Sequence, residues 1–597
     1  MRFHHAAFTG ACVRAAMAFS LLLGCGRVST DPDSVEGGAT SQEPSGGAHS
    51  AQGGTANHSG ASPGESKGGI TSGGASVASG GVASGGQATG GVSPPGGSAG
   101  ASGAPGEPVG KNIWFRRGLL TLGETAFEKH LAFLLSKEQR PTSRYPSTQL
   151  IPGVEEPKEL ENTALALLGQ TAVDALSDQE LLAIFGCEAS SGACSSETLS
   201  RFAQRAWHGQ GSTAEIADLV AALSDLPAAA PLQGLRTILR RILSSPKAYV
   251  LKQLGQRVSS GAYVLDALER ANLLAYGAGA LTGDDALFEA AESGALLDPR
   301  ELRAHAERLL ETPAGERAVV EFVRGWFRIS SAKELEAKWG EPPANAPSAS
   351  SMLDETRYFI QALLAQNAPV SELVSADYTF VNASLAAFYG LPFQGDGFAR
   401  ADLSGTPRRG LLHHASWLAS TSHTFTPSYP ARALSVLGLL CEYPPPPPPG
   451  IDIDLVEPMP GLSRRQRMEL ETRNPACASC HKILDPIGFS FDHFDRLGRY
   501  QETEDGLPLD TSGSAHTFNG RDFMFDSSTA LALQLAADPG LARCYATNLA
   551  AAWVGTFPSE PAANDYAARW DFTARDKGLR EAILDWVESP YFFTREF

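Results

Sequence analysis

Past Leu23, this 597-residue chain contains no apolar stretch of 18 or more consecutive residues, so no later segment has the length of a membrane-spanning helix. Basic side chains are scarce as well. The balance of 48 Lys and Arg against 66 Asp and Glu gives a net charge of −18. That excludes the basic footprint on which nucleic-acid binding depends, and it favours a soluble body repelled by anionic surfaces. There is no glycine loop in a strand-to-helix setting to cradle phosphate, no HExxH zinc motif and no Ser-His-Asp signature. Methionine is limited to six residues, of which only Met352, Met459, Met468 and Met524 follow the leader. Cysteine is limited to eight, few enough to account for one by one.

The beginning of the chain reads as an export signal. Met1-Arg2 and Arg14 supply positive charge, and the apolar run Ala15 to Leu23 is too short to cross a bilayer. It ends in Leu22-Leu23-Gly24-Cys25, which resembles a bacterial lipobox; cleavage before Cys25 would leave that thiol to take a lipid. The competing reading is an ordinary secretory signal with an incidental cysteine. Residues 1–25 are therefore expected to be a lipoprotein signal peptide. The expected location is the periplasm, outer membrane or cell surface, with the membrane reached through the lipid anchor. Residues 26–110, dominated from Ser34 by Gly, Ser and Ala, have too little apolar area to offset chain entropy and are expected to be a disordered tether.

Among the cysteines, Cys477-Ala478-Ser479-Cys480-His481 has the spacing that fastens haem c. Two thiols on one helical turn can both reach a porphyrin's vinyl groups, and the following histidine can ligate the iron. Cys12 leaves with the leader and Cys25 takes lipid. That leaves Cys187, Cys194, Cys441 and Cys544, an even number suited to an oxidising compartment. Cys187 and Cys194 bracket a Ser/Gly-rich loop that can close as a small ring, and Cys441 with Cys544 is the remaining pair, although spacing does not fix connectivity.

The opposite face of the iron is open to several assignments. Met524, between Phe523 and Phe525, is a candidate axial thioether, with ordinary core packing as its competing reading. His493, His516 and His423 are alternatives, and an unfilled position would point to ligand or peroxide chemistry. Ile483, Leu484, Ile487, Phe489, Phe491, Phe494 and Leu497 are candidates for an apolar shell around the porphyrin, and equally for plain core. Asp485, Asp492 and Asp495 would favour ferric iron if near it, or else form a solvated face. Asp485-Pro486 predicts the end of the motif's helix, with Gly488 turning the chain. His413-His414 is read as a structural pair rather than a metal site.

The body that follows the linker, about 490 residues, is long enough for two to four domains. Its periodicity is mainly helical. Leu302, Ala306, Leu309 and Leu310, then Val319, Phe322, Val323 and Trp326, recur at helical spacing on either side of Thr312-Pro313. Tyr358, Ala362 and Leu363 predict the buried face of another helix, and Tyr378–Val381 a short extended piece. Leu235-Arg236 through Ser245-Pro246 is echoed at identical offsets by Leu579-Arg580 through Ser589-Pro590. Pro444 to Pro449 predicts a polyproline II spacer. The expected parts are an N-terminal helical domain (111–250), a central helical domain (251–400), a cytochrome-c-like haem module (401–503) and a C-terminal helical domain (504–597).

Several motifs together carry a resemblance. Before the proline run stand Arg409-Gly410-Leu411-Leu412, Ser416-Trp417-Leu418-Ala419, Thr426-Pro427 and Arg432. After it come Asn474-Pro475-Ala476 and the CxxCH motif, Asp485-Pro486-Ile487-Gly488-Phe489 and Phe494-Asp495-Arg496-Leu497-Gly498-Arg499. With Asp377–Asn382, Leu385–Gly390, Leu509–Gly513 and Ser589–Phe592, these resemble the planctomycete-type, cytochrome-c-like family of large exported proteins. The resemblance covers most of Phe202 to Phe597. It implies an exported haem c protein and supplies no established reaction. The chain departs from the family in having Leu484 where Met often stands, and in lacking a clear counterpart of the N-terminal region over Ile113–Leu160. Three functions follow as expectations: an extracytoplasmic electron carrier with one covalent haem and a redox partner protein, a haem-dependent oxidoreductase, or a haem-free exported scaffold or binding protein with a structural Cys477–Cys480 disulfide.

Overall fold

The chain cuts its helices with polar caps followed by proline. In a computed structural model, Asp298 and Thr312 cap the helices Pro299–Leu310 and Pro313–Trp326, their side chains accepting from Arg300 N and Gly315 N, with proline at the first helical position of each. The structure describes residues 117–122, 126–127, 130–131, 134–135, 149–152, 162–187, 194–227, 231–279, 283–339, 345–445, 461–556 and 578–596. The leader with Cys25, the linker, Met459 and most of the proline run lie outside the described residues. The described part is mainly helical, and among its residues no helix is long and apolar enough to cross a membrane.

The apolar stripes read on the first two helices are buried at Leu302, Ala306, Leu309, Leu310, Val319, Val323 and Trp326. On the helix Ala349–Ala365 the predicted face is wrong in register. Its buried side is Met352, Glu355, Thr356, Phe359, Ile360, Leu363 and Leu364, while Tyr358 sits at the rim. The spacing is a regular helical stripe, but two of its members are polar, which is why hydrophobicity alone placed the face elsewhere.

Short antiparallel sheets tie distant parts of the chain together. Gly118–Thr121 lies between Gln149–Pro152 and Val250–Gln253. The C-terminal strand Thr594–Arg595 pairs with Tyr263–Val264, which pairs in turn with Gln256–Arg257. The buried Arg595 reaches Gln253 at 2.7 and 3.0 Å, so the two three-stranded sheets share a polar contact. The internal echo is structural too. The helices Pro231–Leu243 and Leu579–Glu588 each end at Ser-Pro, pass through a short helical turn (Pro246–Ala248, Pro590–Phe593) and run into one of these sheets. Two disulfides are present, Cys187–Cys194 and Cys441–Cys544. The latter joins the end of the Tyr429–Gly438 helix region to the long helix Pro539–Val554.

Candidate functional site

The CxxCH motif lies on the helix Pro475–Phe489, which opens with proline where the missing N–H costs nothing. The helix does not stop at Asp485-Pro486. It continues to Phe489 with Pro486 inside it, a correction to the sequence reading. Proline there removes one ladder bond, and tertiary packing outweighs that loss. Gly488 is not the predicted turn. A Cβ at this position would stand 2.5 Å from the Tyr429 carbonyl oxygen, so glycine is what allows the helix to lie directly on the Tyr429–Gly438 helix.

One side of this helix is core. Ile483, Leu484 and Ile487 are buried, Phe489 lies 4.4 Å from the Tyr429 ring, and Phe491 lies 5.0 Å from the Trp417 ring. Phe494 packs on His413 and Tyr500. The side chains considered for a porphyrin shell are thus packed against protein. The three acids do not form a solvated face. Asp492 is buried and accepts from the Tyr429 hydroxyl at 2.6 Å, and Asp495 accepts from the Leu497 and Arg499 amides, closing a turn.

The other side carries the reactive groups. Cys477, His481 and Asp485 follow one another at four-residue spacing and so share a face. Cys477 and Cys480 are unpaired and half-buried, in a chain whose other described cysteines are bonded. This counts against the Cys477–Cys480 disulfide of the scaffold reading. His481 Nδ1 lies 2.8 Å from Asp485 Oδ1, with the two side chains 25% and 9% exposed. A carboxylate only accepts, so Nδ1 carries a proton, and in the neutral imidazole the lone pair is then on Nε2. Two thiols, one oriented imidazole and an apolar backing form a donor set that fits haem c. Among the described residues no three His, Cys, Asp or Glu side chains cluster closely enough to hold a metal ion unaided.

The candidate axial ligands are elsewhere. Met524 belongs to the hairpin Gly513–His516/Asp522–Phe525 and is 79% exposed, so it is not the core methionine of the competing reading. Phe523 and Phe525 face inwards on the side where Gly513 meets Pro486 of the motif's helix, and alternation turns Met524 to the opposite face. His516 is exposed and paired with Asp522, and His493 packs against Tyr500. His423 is an exposed residue whose amide bonds to Thr426.

A second constellation was not visible in the sequence. Glu355, 0% exposed, accepts from Tyr389 OH at 2.6 Å and from Thr379 Oγ1 at 2.8 Å. Since that hydroxyl's hydrogen goes to Glu355, His414 Nε2–H donates to Thr379 Oγ1 at 3.1 Å, leaving Nδ1 opposite Thr356 Oγ1 at 3.3 Å. Thr356 meets Ser416 at 2.7 Å, and the Ala415 amide donates to Tyr389 OH. The buried Arg408 guanidinium stacks 3.9 Å from the Tyr389 ring and donates to the His413 and Gly498 carbonyls. Burial pushes the Glu355 carboxyl up to about 7, against its hydroxyl donors and Arg408. Burial holds His413 and His414 down at about 3. The histidines diverge: His413 Nδ1 meets the Arg409 carbonyl and Nε2 meets Ser528. The one available signal was the pair Glu355-Thr356 set inside an otherwise apolar stripe.

Residues 265–391 match the family PSD4, a protein of unknown function (DUF1592), and residues 408–504 match PSCyt3, a protein of unknown function (DUF1588). No curated protein and no solved structure matches the chain. The polar cluster joins the two matched segments, with Glu355, Thr379 and Tyr389 from the first and Arg408, His414 and Ser416 from the second. The CxxCH helix lies within the second, and both matches fall in the planctomycete cytochrome-c-like families that the chain's motifs resemble.

Proposed function

We propose that this chain is an exported c-type haem protein that carries single electrons outside the cytoplasm through one haem bound at Cys477, Cys480 and His481. The observation that carries this reading is the pairing of two unbonded, half-buried thiols with a histidine whose Nδ1 is already engaged by Asp485. A haem bound there supplies one-electron exchange. The chain's own part is to fix the imidazole's tautomer, present both thiols on one turn and hold the helix rigid on the Tyr429–Gly438 helix. The two disulfides support an oxidising compartment. Lipidation at Cys25 and a redox partner protein belong to the same reading.

The test is the reduced pyridine-haem spectrum of protein exported together with a cytochrome c maturation system. A covalent c-type band, absent from a Cys477→Ala/Cys480→Ala control, is the expected result. Lipidation is tested separately by labelling with a radioactive fatty acid, with loss of label in Cys25→Ser.

A further inference from the structure

We infer that Asp485 is a positioning residue for the iron ligand: its carboxylate holds His481 as the Nδ1–H tautomer and makes it a strong electron donor at Nε2. The inference rests on the proposed haem and extends it to the potential at which the site works. Three observations support it.

The first is the 2.8 Å contact between His481 Nδ1 and Asp485 Oδ1. The second is burial, since the Asp485 side chain is 9% exposed and flanked by the buried Leu484 and Ile487. Charge-assisted hydrogen bonds are stronger than neutral ones, and screening by water is weak at such a position. The third is the continuity of the helix through Pro486. If the helix ended at Asp485-Pro486, the carboxylate would leave the i+4 register that sets it one turn from His481. Gly488, pressed on the Tyr429 carbonyl, keeps that last turn in place.

A carboxylate acceptor draws the Nδ1 proton more strongly than an amide carbonyl does, so more electron density reaches Nε2. Partners of this kind orient the ligand and raise its basicity. A more basic ligand stabilises ferric over ferrous iron and lowers the midpoint potential. Loss of the carboxylate's charge is expected to change the ferric-over-ferrous preference about tenfold, or about 59 mV upward for a one-electron couple.

Two measurements on the full chain test this. In protein exported without the maturation system and labelled with 15N-histidine, His481 should appear as the Nδ1–H tautomer. Asp485→Ala should shift it towards Nε2–H, with the resonance assigned by His481→Gln. In haem-loaded protein, Asp485→Asn should raise the midpoint potential of the molecules that carry haem, and Asp485→Glu should restore a lower value. An Nε2–H tautomer in the wild-type chain, or a potential unmoved in both Asp485→Asn and Asp485→Ala, overturns the inference. A wild-type chain that takes no haem overturns the proposed function instead, and the tautomer measurement then decides the pairing by itself.

Discussion

Cys477, Cys480 and His481 keep their reactive atoms at the edge of the protein, whereas Glu355, Thr379, Tyr389 and His414 bury theirs. The first group lies within five consecutive residues on one helix. The second is gathered from two helices, a strand and the residue that caps a third helix, spread over some sixty positions of the chain. The exposed group is free to meet something outside the protein, while the buried one has its hydrogen bonds made internally. Chemistry is therefore expected at the first and structural integrity at the second, and variants can separate the two.

The largest effect is expected from Glu355→Leu. It leaves the buried Tyr389 and Thr379 hydroxyls without their acceptor and removes a carboxylate whose charge favours the buried Arg408, a loss of about 3–5 kcal/mol. Chemical unfolding should show it, while any chain that still folds keeps its haem-binding motif. A midpoint equal to the wild type would mean that the cluster is dispensable. Next is Gly488→Ala, whose added Cβ meets the Tyr429 carbonyl at 2.5 Å. Forcing the two helices apart should cost about 1–3 kcal/mol, and because this variant disturbs the motif's own helix it should also reduce haem loading. Loading that survives a lowered melting temperature would separate helix packing from attachment.

Within the buried region, acid acts on the fold in two opposite senses. Glu355 has a folded value of about 7 against 4.5, so between these pH values the native state binds the extra proton and stability falls as pH rises. His413 and His414, at about 3 against 6.5, act in the opposite sense: the unfolded state binds the extra protons and stability rises with pH across that window. Glu355→Gln removes the falling contribution. Its melting temperature should rise more steeply with pH from about 4.5 to 6.5 and then no longer decline towards 7. Superimposable pH profiles for the two proteins would contradict this assignment. The smallest effect is expected from Met524→Ala. An exposed side chain on the outer face of its hairpin should be worth less than about 0.5 kcal/mol, with the spectrum of bound haem unchanged. A changed low-spin spectrum would instead bring Met524 to the iron.

The same contrast explains what could be read from the sequence. The CxxCH spacing is local, so its placement on one helical turn follows from the residues alone. The paired helices around Thr312-Pro313 are local as well, set by a cap and a proline. The cluster around Glu355 was illegible because its partners lie tens of residues apart and because a glutamate within a buried stripe reads as a surface position. Pro486 misled for a related reason. Its local preference is to end a helix, and only the contact of Gly488 with Tyr429, 59 positions earlier, shows why the helix goes on. Asp485 looked like one acid among three, and its role emerged once the continuous helix set it one turn from His481.

The measurement that bears most directly on the central claim is the reduced pyridine-haem spectrum of the exported chain beside its Cys477→Ala/Cys480→Ala variant. A covalent c-type band in the wild type that disappears in the variant is the predicted result. Two titratable thiols and no band, in protein made with an active maturation system, would contradict it.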